Sequence, residues 1–155
     1  MSALPTAAQI LALVLLSLVA GSMFGTWRGY DITTYSAATF VDVHQGTVRG
    51  LNMLLPAMAA GALALVLLLA VVARGRQATM GLYLATALAI IAGGAITRLL
   101  NQPINDQVME WTQATIPANW TILRDSWWNW HQARLAFTFG AQLLLIAAIF
   151  ADREV

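Results

Sequence analysis

The sequence predicts an all-α integral membrane protein, a four-helix bundle in a single transmembrane domain (residues 1–155) with a short interfacial helix between helices 3 and 4. Three observations predict it. Apolar residues make up 59% of the chain and charged ones only 10%, whereas a soluble domain carries about 25% charged residues. Four apolar stretches each approach the roughly 20 residues that cross a hydrocarbon core of about 30 Å. Between the second and third stretches lies only a short Arg74-Gly75-Arg76 turn, so those helices are antiparallel neighbours.

Helix 1 covers about 7–27. It has no basic residue ahead of it and exceeds the apolar part of a cleaved signal peptide, so it reads as a retained span. Helix 2 is expected over 36–73, with Ser36 as N-cap and its first turns standing above the membrane. Helix 3 is expected over 78–101, where Asn101-Gln102-Pro103 should stop it, because proline disfavours helical geometry in the residue before it. Ile104, Val108 and Trp111 then recur at helical spacing with Asp106, Gln107 and Glu110 off the stripe, which suits a short interfacial helix. Pro117 ends that helix, and helix 4 runs over 120–151, closing at Asp152-Arg153-Glu154. All six tryptophans gather on the side of the long links, the zone that tryptophan favours. Arg74, Arg76 and Arg153 lie on the side of both termini, which by the positive-inside rule places the termini in the cytoplasm and the protein in the cytoplasmic membrane.

Composition also excludes. The net charge is +1 with no basic run, so nucleic acid is not an expected partner. Without cysteine there is no disulfide, no iron–sulfur cluster and no thiol nucleophile. Two histidines and seven carboxylates are the strong metal ligands that remain. Gly93-Gly94 and Ala59-Ala60-Gly61 permit close helix contact, within the chain or in a homo-oligomer.

The polar residues of the spans fall into a layer. At 1.5 Å rise per residue on straight helices, Arg98 and His131 both stand about 30 Å above the termini-side ends. Asn52 comes to about 32 Å, Asn101 to about 35 Å, Arg49 to about 36 Å and Arg134 to about 26 Å. Arg124, Trp127 and His44 stand higher, at roughly 36 to 44 Å. On helix 2, Gln45, Arg49, Asn52 and Pro56 share one stripe; on helix 4, Arg124, Trp127, Trp128, His131 and Leu135 share another. Such stripes face the bundle interior or a wet cavity, since facing lipid is costly. The bland readings are snorkelling arginines, interhelical asparagine glue, and helix caps at Asn101 and Asn105.

Three functions fit that layer. Histidine titrates near neutrality and serves as a general base, while arginine stabilises a developing oxyanion in a low-dielectric pocket. The candidate catalytic residues are therefore His131, His44 and Arg134. Arg98, Arg49, Asn52, Asn101, Asn105, Trp127, Trp128 and Arg124 are candidate binding residues for a hydrophobic aromatic small molecule arriving from the bilayer. A haem held by His44 and His131 is the electron-transfer alternative, but straight helices separate the two by about 14 Å. A mononuclear iron site with two histidines and a carboxylate meets the same obstacle. The third reading is a non-catalytic lipid or small-molecule binder, or a partner subunit.

Asn101-Gln102-Pro103-Ile104-Asn105 after helix 3, then Trp120 and Trp127, then Trp130-His131-Gln132-Ala133-Arg134 entering helix 4, resemble the anthrone-oxygenase-like family of small four-helix membrane proteins. His44-Gln45 with Asn52 fits the same pattern more loosely, and this chain has His131 where relatives often carry Asn. The resemblance implies oxidation of a polycyclic phenol, such as an anthrone, to its quinone with molecular oxygen and without a cofactor. It implies His131 or His44 as base, Arg134, Arg98 and Arg49 at the phenolate and reduced oxygen, and Asn52, Asn101 and Asn105 as orienting groups.

Overall fold

A computed structural model describes residues 3–153; Glu154, expected at the close of helix 4, lies outside them. The chain is helical throughout its ordered elements: α1 (Ala3–Gly29), a 3-10 turn (Ile32–Thr34), α2 (Ala37–Leu51), α3 (Leu54–Val72), α4 (Gln77–Ile96), a π turn (Thr97–Asn101), α5 (Gln102–Met109) and α6 (Trp120–Arg153). Four segments are long and apolar enough to cross a membrane: 4–34, 54–72, 77–109 and 120–153. α1 packs on α3 and α6, and α4 packs on the same two, so the spans close into a ring.

The buried stripes explain the ring. Along α6, Trp127, His131, Leu135, Thr138, Ala141, Leu145 and Ala148 are buried at spacings of three and four, one face of a 3.6-residue helix. Ala8, Ala12, Leu16, Val19 and Met23 do the same on α1. Ala12, Ala62, Ala73, Ala141 and Ala148 are fully buried, and such small residues let helices approach closely where lipid supplies no hydrophobic drive. Leu18, Leu68, Leu88, Ile91, Leu143 and Phe150 face outward, as a lipid-facing surface requires.

Two expectations are corrected. Helix 2 is not one helix over 36–73: it breaks at Asn52–Met53 into α2 and α3. Pro56 explains the break, because it lacks an N–H and its ring collides with the carbonyl four residues back, that of Asn52. Helix 3 does not stop at Asn101. It passes through the π turn straight into α5, with the Gln102 N–H bonded to the Thr97 carbonyl. The wider turn accommodates Pro103, which falls in the first turn of α5, where a missing N–H is tolerated. α5 buries Ile104 and Val108 as the stripe foretells, and it packs against α2.

Ser36 caps α2 by accepting from the Thr39 N–H at 3.2 Å. Gln45 ties α2 to the end of α5, its Nε2 donating to the carbonyls of Val108 and Trp111, both at 2.9 Å. At the end of the bundle away from the termini, Ile32, Phe40, Val41, Ile104, Val108 and Trp127 form a second apolar cluster, with Trp111, Trp120 and Trp128 against it. Four of the six tryptophans therefore build a core.

Candidate functional site

Between this cluster and the alanine-rich core, the ring encloses a cavity of about 390 Å³, within the ~300–1,000 Å³ range of small-molecule pockets. Leu16, Val19 and Met23 of α1, Leu55 and Ala59 of α3 and Ile90 of α4 supply its apolar walls. Its polar lining is Asn52, Thr97, Arg98, Gln102, Arg134 and Thr138. Of the lining residues, Pro56, Gly94 and Arg98 are exposed, so the mouth lies between α3 and α4. The helix break stands on one side of it and the π turn on the other. A smaller cleft adjoins it, lined by Asn52, Thr97, Asn105, Trp127, His131 and Arg134 among others.

Arg134 is the centre of the arrangement. One turn of α6 after His131, its Nη2 lies 3.0 Å from the His131 Nδ1, its Nη1 lies 3.4 Å from the Thr97 hydroxyl, and its Cζ sits 5.7 Å from the Trp127 ring centroid. Nε is buried with no partner. Among the described residues the only ion pairs are Arg76–Asp152 and Arg124–Asp125, so this guanidinium has no carboxylate. A buried charge without a counter-ion is costly and favours any anion that can reach it.

The protonation of His131 follows from its partners. Nε2 lies 3.0 Å from the Met23 carbonyl of α1, which can only accept, so Nε2 carries the hydrogen. Nδ1 then offers its lone pair to Arg134. Both ring nitrogens are engaged.

The second histidine belongs to a different chain of bonds. The Trp127 Nε1–H donates to the Asn105 Oδ1 at 2.8 Å, and the His44 Nε2 lies 3.1 Å from that same oxygen. The Asn105 Nδ2 donates to the Asn52 Oδ1 at 3.3 Å. His44 lines a separate small cleft with Thr26, Tyr30 and Thr47. It stands on α2, outside the apolar spans, where burial pushes its pKa down to about 4, helped by the charge of Arg134 and opposed by the Asn105 bond. It is neutral at physiological pH.

The layer predicted by counting is thus assembled, with exceptions. Asn52, Arg98 and Arg134 share the large cavity, and Asn52, Asn105, Trp127, His131 and Arg134 share the cleft. Arg49 is exposed and lines neither: the break after α2 turns its side of the stripe away. Arg124 lies outside as well, paired with Asp125 and laid over the Trp120 ring at 5.0 Å. Trp128 stacks on Trp127 and His131 without reaching the cavity. Asn101 is fully buried, its Nδ2 donating to the Trp127 carbonyl at 3.0 Å. Neither Asn101 nor Asn105 caps a helix through its side chain; both join helices.

Sequence reasoning missed Thr97, Gln102 and Thr138, and it missed α1 altogether as a contributor through Met23. A backbone carbonyl leaves no signal in a sequence. The threonines had one, a hydroxyl within a turn of Arg98 and Arg134, but threonine is common in membrane helices as a back-bonding residue. Thr97 and Thr138 indeed donate to the carbonyls of Gly93 and Arg134.

Both histidines named for a haem or iron site are hydrogen-bonded within the protein. The Trp127 ring stands beside both histidines, 4.9 Å from His44 and 5.1 Å from His131 between centroids. No group of three histidines or carboxylates converges among the described residues, so a two-histidine iron site has no carboxylate to complete it.

Comparison with curated proteins and with solved structures gives no match. A family model described as anthrone oxygenase matches residues 45–144, a stretch that holds the whole polar lining and ends beyond Thr138; His44 falls just before it. On that match, across more than half of its length, the chain belongs to the anthrone oxygenase family.

Proposed function

We propose that the protein is a membrane oxygenase that oxidises a lipid-soluble polycyclic phenol or anthrone-like ketone with molecular oxygen. One observation carries the reading: a buried arginine without a carboxylate, its Nε free, set in the wall of an apolar cavity that opens between two membrane helices. Family membership supports the reaction class.

The chemistry is a four-electron exchange at one ring carbon. A base removes a proton from the activated CH₂, and the resulting carbanion is drawn as the phenolate. One electron passes to O₂, giving superoxide and a carbon radical. These combine to a peroxide, which loses water as the second C–H bond breaks and C=O forms. The CH₂ and O₂ become C=O and H₂O.

In this scheme Arg134 stabilises the phenolate and then the reduced oxygen, the role in which a preorganised donor is most effective. His131 is the base nearest to it. Its Nδ1 is held by Arg134, so it accepts a proton only as the guanidinium turns from the imidazole to the substrate oxygen. The two movements are coupled, which keeps the base masked until an anion arrives. Arg98 at the mouth draws in the polar edge of the substrate. Arg74, Arg76 and Arg153 on the side of both chain ends support termini in the cytoplasm and a mouth near the opposite face of the cytoplasmic membrane.

Oxygen uptake by the purified protein with anthrone in lipid nanodiscs tests this. Uptake should fall sharply in both Arg134→Leu and His131→Phe. Equal rates in wild type and both variants would sink the proposal.

A further inference from the structure

We propose that Asn52 and Arg134 form a two-donor recognition site for an oxygen acceptor on the ligand, and that His44 is a positioning residue for Asn52, acting through Asn105. This rests on the reading above that the cavity takes an aromatic ketone or phenol, and it adds which atoms select that ligand.

One atom in this chain of bonds has a fixed role. The indole Nε1–H of Trp127 is a donor only. The Asn105 atom that receives it at 2.8 Å must therefore be the carbonyl oxygen, and the other end of that amide is the NH₂. Two consequences run outward from Asn105. His44, 3.1 Å from the same oxygen, must place its hydrogen on Nε2. Asn52, 3.3 Å from the Asn105 NH₂, must turn its own oxygen toward it. What remains of Asn52 is Nδ2, which has no acceptor among the described residues and belongs to a side chain lining both cavity and cleft.

The polar residues lining both spaces are Asn52, Thr97 and Arg134. Thr97 has its hydrogen committed to the Gly93 carbonyl and accepts from Arg134. The junction thus brings together two groups with an N–H to spare, the Asn52 amide and the Arg134 guanidinium, whose Nε is buried in the wall without a partner among the described residues. Gln102 shows the contrast: its Nε2 donates to Asp106, leaving an amide oxygen beside the mouth. An oxygen of the ligand is matched at the junction, and a hydroxyl hydrogen at the mouth. His44 touches neither space; its second bond to the Asn105 oxygen holds that amide against rotation.

The test uses anthrone and 9,10-dihydroanthracene, which share three fused rings and differ in the carbonyl oxygen. Affinities are measured by competition in nanodiscs without oxygen, so turnover plays no part. Wild type should prefer anthrone by about tenfold, the scale of one matched hydrogen bond in a buried site. Asn52→Leu should abolish the preference while still binding both ligands. His44→Leu should weaken the preference and His44→Gln, which keeps a donor near the Nε2 position, should restore it; a merely structural role would show no such rescue. Equal affinities in wild type, an unchanged preference in Asn52→Leu, or no binding of either ligand would overturn the recognition site. An unchanged preference in His44→Leu would overturn the role of His44. Preferential binding of anthrone with no oxygen uptake in air would defeat the proposed oxidation and leave this inference standing.

Discussion

The two ends of the bundle use opposite means. On the side of the chain termini, the helices meet through alanines and leucines with almost no exposure, and a polar clamp helps to close the end. There the Gln9 Nε2 donates to the Tyr83 hydroxyl at 2.9 Å and to the Asp152 carboxylate at 2.8 Å, and Arg76 pairs with Asp152. Toward the long links, two of the spans lose regular geometry, a cavity opens, and the polar groups are bonded in directed chains. The clamp joins a charge to its counter-charge, leaving only the neutral Gln9 Oε1 without a partner. The chain around Arg134 ends on an unanswered cation. One region is built to hold the helices, the other to lack something a ligand brings.

The sharpest way to break that contrast is Arg134→Leu. Oxygen uptake should fall by about 10²–10³-fold, the usual penalty for removing an oxyanion donor, while the bundle still assembles. Leu145→Ala, at the closed end, should do the reverse. Leu145 is fully buried, so thermal unfolding in detergent should show a loss of about 2–5 kcal/mol, with kcat/KM of the folded fraction unmoved. A matching loss of kcat/KM would mean that the two ends are not separable.

A pH titration sharpens the comparison further. The folded pKa of His44 is about 4, below its unfolded value of 6.5. Between these values the unfolded chain binds the proton more readily, so stability is full above about pH 6.5 and falls as pH drops toward 4. The limit is about 3 kcal/mol at 1.36 kcal/mol per unit. Melting curves across that window should be flatter in His44→Gln. The smallest effect is expected at the tight turn of the closed end, where Gly75 has φ +99°. Gly75→Ala should cost about 1–2 kcal/mol through left-handed strain alone, visible as a lower Tm and without effect on ligand preference.

Much of this was legible before the structure. The four spans, the Arg74-Gly75-Arg76 turn and the Ser36 cap follow from hydropathy and local chemistry, which act over a few residues. The common level of Asn52, Arg98, His131 and Arg134 followed from rise per residue, because α6 is regular at His131 and Arg134, and Asn52 and Arg98 stand only two residues beyond the regular parts of α3 and α4. Counting failed where regularity failed. Arg49 was placed by extending a straight helix through Asn52–Met53, and His44 was set far from His131 for the same reason, although both rings lie against Trp127. Asn101 and Asn105 were expected either in the binding layer or as caps beside Pro103; the π turn carries both into the interior, where they join helices. Gln9 and Tyr83 gave no warning, since a glutamine and a tyrosine near helix ends are unremarkable until a third helix brings Asp152 to them.

The π turn at Thr97–Asn101 has one further consequence, for what the gene tolerates. It is equivalent to one surplus residue threaded into an otherwise α-helical rod. Deleting Leu99 or Leu100, two side chains outside the cavity lining, would let the turn close to regular spacing while the residues beyond it kept their facing, because the widened turn already absorbs the surplus. The same deletion in the regular part of α4 has no such outlet and would rotate everything beyond it by about 100°. Asn105 would then swing off Trp127 and His44 together. The rod can lose a letter where it is widened and nowhere before.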